Sequence, residues 1–306
     1  VEVVSSGDGL YADSTETRRY VYRGGNPNNY ITFNDETWRI MSVEKDGTMK
    51  IVKDSKLSNN MVYDPGYSTS ISGVTRMNSL EGTRHSYLNT DYCYSSEAYN
   101  KYPGCSVWGS KTTMLDASGE NITKMPKLIG NSTTYNLPEN EAYLNLYLNS
   151  AWYIGLNTVA KSNIDVHVFN VGIVNIDTPM QSLNSDTQQE KSFKWKGKVG
   201  LINATDYVKA STNASCVNLY SASDSAYLKA CKTGNYLFKS YAMWTINPCS
   251  RNTSDNIEVT IASSGNIGGF RVASDSGYGV HPVVYLKSDI TLSGEGTESN
   301  PYTIVS

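Results

Sequence analysis

From Tyr241 onward the chain is a succession of short β-rich runs, YAMWTINP, IEVTIASSGN, GGFRVAS, GYGVHPVVYLKSDITL and NPYTIV, each cut by Gly, Asn or Ser. β-branched and aromatic residues at this density, separated by residues that accept turn conformations, predict antiparallel strands joined by tight connections. Pro282 and Pro301 lack a ladder donor and are expected at strand starts or edges. A chain that closes this way must be mostly sheet.

The N-terminal part reads the same way. Arg19 to Arg23 alternates polar and aromatic residues, GGNPNN supplies a turn, and the runs Thr37 to Val43 and Met49 to Val52 flank Asp46-Gly47, a strong hairpin signal. Further strands are expected over Val166 to Val174 and Phe193 to Asn203. Helix is predicted at Pro138 to Trp152, where Leu144, Leu148 and Trp152 recur on one face, and in two short pieces, Ala204 to Ala210 and Ser223 to Ala230. Residues from about 59 to 134 are dense in Ser, Asn, Gly and Tyr and read as a long ordered loop. No linker or repeat divides the chain. The expected fold class is therefore α+β with β dominant: one domain over residues 1–306, built of antiparallel sheets, a few short helices and a loop-rich insertion.

Composition narrows the function. Lys plus Arg number 26 against 29 Asp plus Glu, a net charge of −3, which gives no broad attraction to nucleic acid or anionic membranes. No apolar stretch is long enough to insert in a membrane. Charged residues make up only 18% and Tyr outnumbers Phe by 23 to 5, so polarity comes from hydroxyls and amides, as suits an extracellular surface. The five cysteines form no C-x-x-C pair, so disulfides are the better reading: Cys93 with Cys105 and Cys216 with Cys231, each bracketing a short segment, with Cys249 left over.

Motifs for chemistry are missing. The chain lacks G-x-S-x-G, H-E-x-x-H and a Walker loop, and Gly265 to Phe270 joins strands instead of opening a helix. His85, His167 and His281 stand apart, and Asp177, Asp186, Asp224 and Asp275 form no calcium-loop pattern. No metal, cofactor or catalytic residue is expected.

The segments YRGGNPNNYITFNDETWRIMSVEKDGTMKIV, FNVGIVN, WKGKVGLINATDYVKA, CKTGNYLF, MWTINP and GVHPVVYLKSDITLSGEGTESNPYTI together resemble an uncharacterised family of secreted, pilin-like surface proteins of Gram-positive gut-type bacteria. The order of the C-terminal strands also resembles C-type-lectin-like folds. The likeness implies a secreted or cell-surface location, with an anchor outside this sequence; it carries over no catalytic residue, and His281 stands where relatives have Arg.

The expected function is a non-enzymatic, adhesin-like or pilin-like surface protein whose polar aromatic loops bind a protein or glycan, or copies of itself. Trp244, Asn247, Arg251, Asn252, Asp255, Asn256 and Tyr278 are the candidate binding face. A structural subunit of a pilus, fibre or surface layer is one alternative. A carbohydrate-active enzyme is another, and it requires a close carboxylate pair in a cleft. Finally, Tyr20 to Arg23 and Tyr302 to Val305 are expected to share a sheet.

Overall fold

The computed structural model describes residues 2–64, 106–126, 129–130, 132, 134–138, 141–179, 181–224, 230–250, 257–271 and 277–305. In chain order, the first strands are β1 (Gly9–Ala12), β2 (Tyr20–Arg23), β3 (Tyr30–Phe33), β4 (Glu36–Val43), β5 (Met49–Lys53), β6 (Met114–Asp116), β7 (Lys124–Pro126) and β8 (Thr134–Asn136). There follow β9 (His167–Asn170), β10 (Phe193–Gly197), β11 (Val199–Gly200), β12 (Met243–Pro248), β13 (Ile257–Ile261), β14 (Ile267–Arg271), β15 (Val283–Leu286), β16 (Thr291–Ser293) and β17 (Thr303–Val305). The helices are α1 (Tyr143–Tyr147), which continues as a π-helical turn over Leu148–Trp152, α2 (Thr158–Asn163), α3 (Leu183–Glu190), α4 (Ala204–Ala210) and α5 (Leu219–Ser223). The protein is thus β-dominant α+β, with antiparallel sheets and few, short helices.

The large sheet runs β1-β2-β4-β5-β15-β11, with β3 paired to β4. Its hairpin β4–β5 turns at Asp46-Gly47 as expected. Gly47 takes φ +87° and the Asp46 carboxylate accepts from the Thr48 amide, a local arrangement that needs no tertiary help. β15 then lies against β5, with Val284 opposite Ile51, so the C-terminal run completes a sheet begun by the N-terminal meander. Pro282 precedes β15 and Pro301 lies just before β17, where a missing donor is tolerated. The remaining sheets are small: β6-β10-β9, β12-β13-β14, β7-β8 and β16-β17.

Buried apolar side chains form one continuous cluster from Leu10 to Leu286. At its centre is a run of edge-to-face aromatic contacts, Trp195 to Trp108 to Tyr63 to Trp244, with centroids 5.7 to 6.1 Å apart. Cys216 and Cys231 are bridged, with Cα atoms 4.8 Å apart, and Cys249 is buried as a thiol. Cys93 and Cys105 lie outside the described residues.

Several expectations need correction. The helix predicted from Pro138 begins only at Tyr143; where a helix is predicted from Ser223 to Ala230, α5 instead ends at Ser223, having started at the Asn218 cap, whose side chain accepts from the Ser221 amide, and residues 225–229 lie outside the described residues. Helix α3 was not expected, since LNSDTQQE has no apolar period; its signal is the Ser182 cap, which accepts from Ser185 N. The stretch read as loop up to residue 134 contains β6 and β7. The two ends approach but do not share a sheet: Tyr20–Arg23 is β2 of the large sheet, and the C-terminal strand belongs to a separate two-stranded one. β17 pairs with β16, while Tyr302 bridges to Ile31 on β3, exchanging bonds of 2.8 Å with Tyr30 O and Thr32 N.

A charged cleft on the large sheet

The residues expected to form a binding face divide into two groups. Arg251, Asn252, Asp255 and Asn256 lie outside the described residues. Trp244 and Asn247 belong to β12, every residue of which is buried, and Tyr278 packs edge-on against Trp244 at 4.7 Å. Trp244 is 1% exposed and its Nε1 donates to Met61 O at 2.7 Å, so it is a core residue. Asn247 is fully buried and works as a clamp: Oδ1 accepts from Ala204 N and Asn203 Nδ2, while Nδ2 donates to Gly172 O. Neither side chain offers a polar group to solvent.

A cleft of about 680 Å³ opens elsewhere, between β5 and β15 of the large sheet and helices α3 and α4. Its floor is a buried ion network drawn from four distant segments. Arg19, just before β2, bonds Asp13, Glu44 (2.9 Å) and the Ser42 hydroxyl (3.0 Å), and stands 3.8 Å from Asp206. Lys50 of β5 donates to Asp206 Oδ2 at 2.6 Å and Asn203 Oδ1 at 3.0 Å. Lys209 of α4 reaches Asp13 at 3.1 Å. Glu190, ending α3, accepts from both the amide and the hydroxyl of Thr205.

The network gathers around the start of α4. Four amides of a helix N-terminus need acceptors; Asn247 Oδ1 serves Ala204, Glu190 serves Thr205, and Asp206 reaches back to the Asn203 amide at 2.8 Å. Carboxylates at that position also meet the positive end of the helix.

The network sorts its acids. Burial alone would push Asp206 up, but Lys50 and Arg19 outweigh it and hold the carboxyl below its ordinary range. At Asp13 burial likewise opposes Lys209 and Arg19, which bring it down to about 2. At Glu190 burial, then the charge of Asp206, outweigh the Thr205 hydrogen bonds and Lys209 and push the carboxyl up to about 7. At the mouth, His167 stacks on Tyr285 with ring centroids 3.9 Å apart, beside Lys194, Gln188 and the exposed Lys45. His167 is half-buried on the rim. Among the described residues no group of three or more His, Cys, Asp or Glu side chains could hold a metal ion. A second groove of about 760 Å³, lined by Leu10, Tyr20, Tyr22, Met49 and Tyr302 among others, has no charged side chain.

The raised acid gives a pH signature. Glu190 titrates near 4.5 when unfolded and near 7 when folded, so its stabilising contribution is complete below pH 4.5 and is lost as pH rises through 7. His281 acts oppositely: buried, with Nδ1 2.9 Å from Lys53 O, it is pushed down to about 4, and its contribution is present above pH 6.5 and lost as pH falls through 4. Glu190→Gln is therefore expected to remove a loss on the order of 2–3 kcal/mol between pH 5 and 8, leaving the acid limb intact. Denaturant midpoints across that range test it; a variant that keeps the wild-type alkaline slope contradicts the assignment.

No family of known proteins, no curated protein and no solved structure matches the chain. Any functional reading therefore starts from the cleft.

Proposed function

We propose that the chain is a non-enzymatic, exported surface protein of C-type-lectin-like type that binds a glycan in the charged cleft. The observation that carries this reading is the cleft itself: donors, acceptors and a stacked ring pair held at fixed positions by a buried network, in a volume suited to a small polar ligand. Pre-positioned groups reduce the ordering cost of binding. The Cys216–Cys231 bridge supports export, because such bonds persist in oxidising compartments. Among the described residues no helix is long and apolar enough to cross a membrane.

The enzyme alternative rests on one observation, two carboxyl groups, Glu190 and Asp206, driven to opposite ends of the acid range in one cleft. Their oxygens are already engaged, however, by Thr205, Lys50 and Asn203. Binding without turnover is the better-supported reading. A glycan array followed by calorimetry tests it. His167→Ala and Lys194→Ala, both at the mouth, are each expected to weaken the glycan identified by about tenfold, roughly 1.4 kcal/mol. Undiminished affinity in both variants, or no glycan bound at all, overturns the reading; hydrolysis of the bound glycan overturns its non-enzymatic part.

A further inference from the structure

We propose that Lys50 and Asn203 are a site of self-modification, where the two side chains join in an isopeptide bond with release of ammonia. The site is independent of any ligand in the cleft above it. Lys50 Nζ reaches from the middle of the large sheet to the residue that caps α4, 153 positions away in sequence, and meets Asn203 Oδ1 at 3.0 Å. The same nitrogen lies 2.6 Å from Asp206 Oδ2. All three side chains are buried, the residues being 1%, 5% and 8% exposed.

An amine does not displace ammonia from an amide in dilute neutral water, because it is protonated there and rarely meets the carbonyl. Both obstacles are reduced here. The partners are held together by the fold, which replaces a bimolecular encounter by a fixed approach. Asn203 Nδ2 donates to Asn170 O at 2.6 Å and to Asn247 Oδ1 at 3.1 Å, so the carboxamide cannot swing away. Asp206 is the proton carrier. It takes one proton from the Lys50 ammonium, leaving a neutral amine and a neutral acid, a minor state whose cost burial lowers. Lys50 Nζ attacks Asn203 Cγ, and its remaining excess proton and that of Asp206 serve the departing group. The Cγ–Nδ2 bond breaks as the Nζ–Cγ bond forms, the nitrogen leaves with both protons as ammonium, so that the chain loses the mass of one ammonia, and Asp206 ends as a carboxylate facing Arg19. No oxidant or co-reactant enters. The resting pair is ionic, since Lys50 and Arg19 hold Asp206 low, so the bond forms after folding and slowly.

The test is the intact mass of the full chain, reduced and denatured after prolonged incubation in the folded state. The expected result is a mass below that of the sequence by one ammonia. A tryptic digest should lack cleavage after Lys50 and contain a branched peptide joining Lys50 to Asn203. Lys50→Arg, which keeps the positive charge, should restore the full mass. Because the wild type itself is measured, a variant that fails to fold does not obscure the answer. The full sequence mass in the incubated wild type overturns the proposal. So does a deficit that maps to Asn203 alone, as a cyclic imide, with normal cleavage after Lys50.

Discussion

Asp206→Ala is expected to destabilise the folded protein by about 3–5 kcal/mol, the cost of stranding buried charges. Asp206 accepts from Lys50 at 2.6 Å and from the Asn203 amide at 2.8 Å, and Arg19 lies 3.8 Å from its other oxygen. Without it Lys50 keeps Asn203 Oδ1 and a 5.8 Å approach to the Tyr285 ring, while Arg19 keeps Asp13 and Glu44. The loss therefore falls chiefly on Lys50 and on the start of α4. Total stability for a protein of this kind is about 5–15 kcal/mol, so the variant would be at the margin of folding. Asp206→Asn keeps an acceptor and loses only the charge, and should fall between. The partly exposed pair Lys191–Glu16, at 2.8 Å, is the internal control, where removal of Glu16 should cost no more than about 1 kcal/mol. Urea unfolding followed by Trp fluorescence measures all three. A shift for Asp206→Ala no larger than that for the control would mean that the network is ornamental to stability.

The same residues explain how far sequence reading reaches. Asp46-Gly47 and the Cys216–Cys231 bridge are legible because the interactions that form them are local: a turn sets its own backbone angles, and two cysteines separated by 15 positions meet whenever the loop closes. The unbroken apolar run VVYL gives β15, but its position against β5 depends on both ends of the chain arriving together. The cleft is legible in no single window. Arg19, Lys50, Glu190 and Asp206 come from four separate segments, and only tertiary contact turns them from ordinary surface charges into a buried network. Helix α3 was invisible for a related reason. Its residues are polar, and it holds its place through buried polar contacts: Asp186, pushed up to about 6 mainly by burial, accepts from Leu219 N and Gln181, while Glu190 accepts from Thr205.

Trp244 shows the converse error, and the variant that tests it should have an effect as large as any in the core. A Trp followed by Thr, Ile and Asn, near further Asn and Tyr, has the composition of a binding loop; in the fold it is the inner residue of a buried strand. Its ring meets Tyr63 at 5.7 Å and Tyr278 at 4.7 Å, so Trp244→Ala opens a cavity at the centre of the aromatic run and is expected to cost about 3–5 kcal/mol. Trp244→Phe should be milder, about 1–2 kcal/mol, since the ring contacts partly survive and Met61 O, which loses the indole donor, still accepts from the Tyr278 amide at 2.9 Å. Trp244 does not line the charged cleft. The fraction of either variant that remains folded should therefore bind a cleft ligand with wild-type affinity, while the unfolding midpoint falls. Wild-type stability combined with lost binding would return Trp244 to the surface role its neighbours in sequence imply. A fall in both, persisting under conditions where Trp244→Phe is fully folded, would mean that the aromatic run and the cleft floor are energetically coupled through Asn247, which lies three residues along the same strand and holds the start of α4.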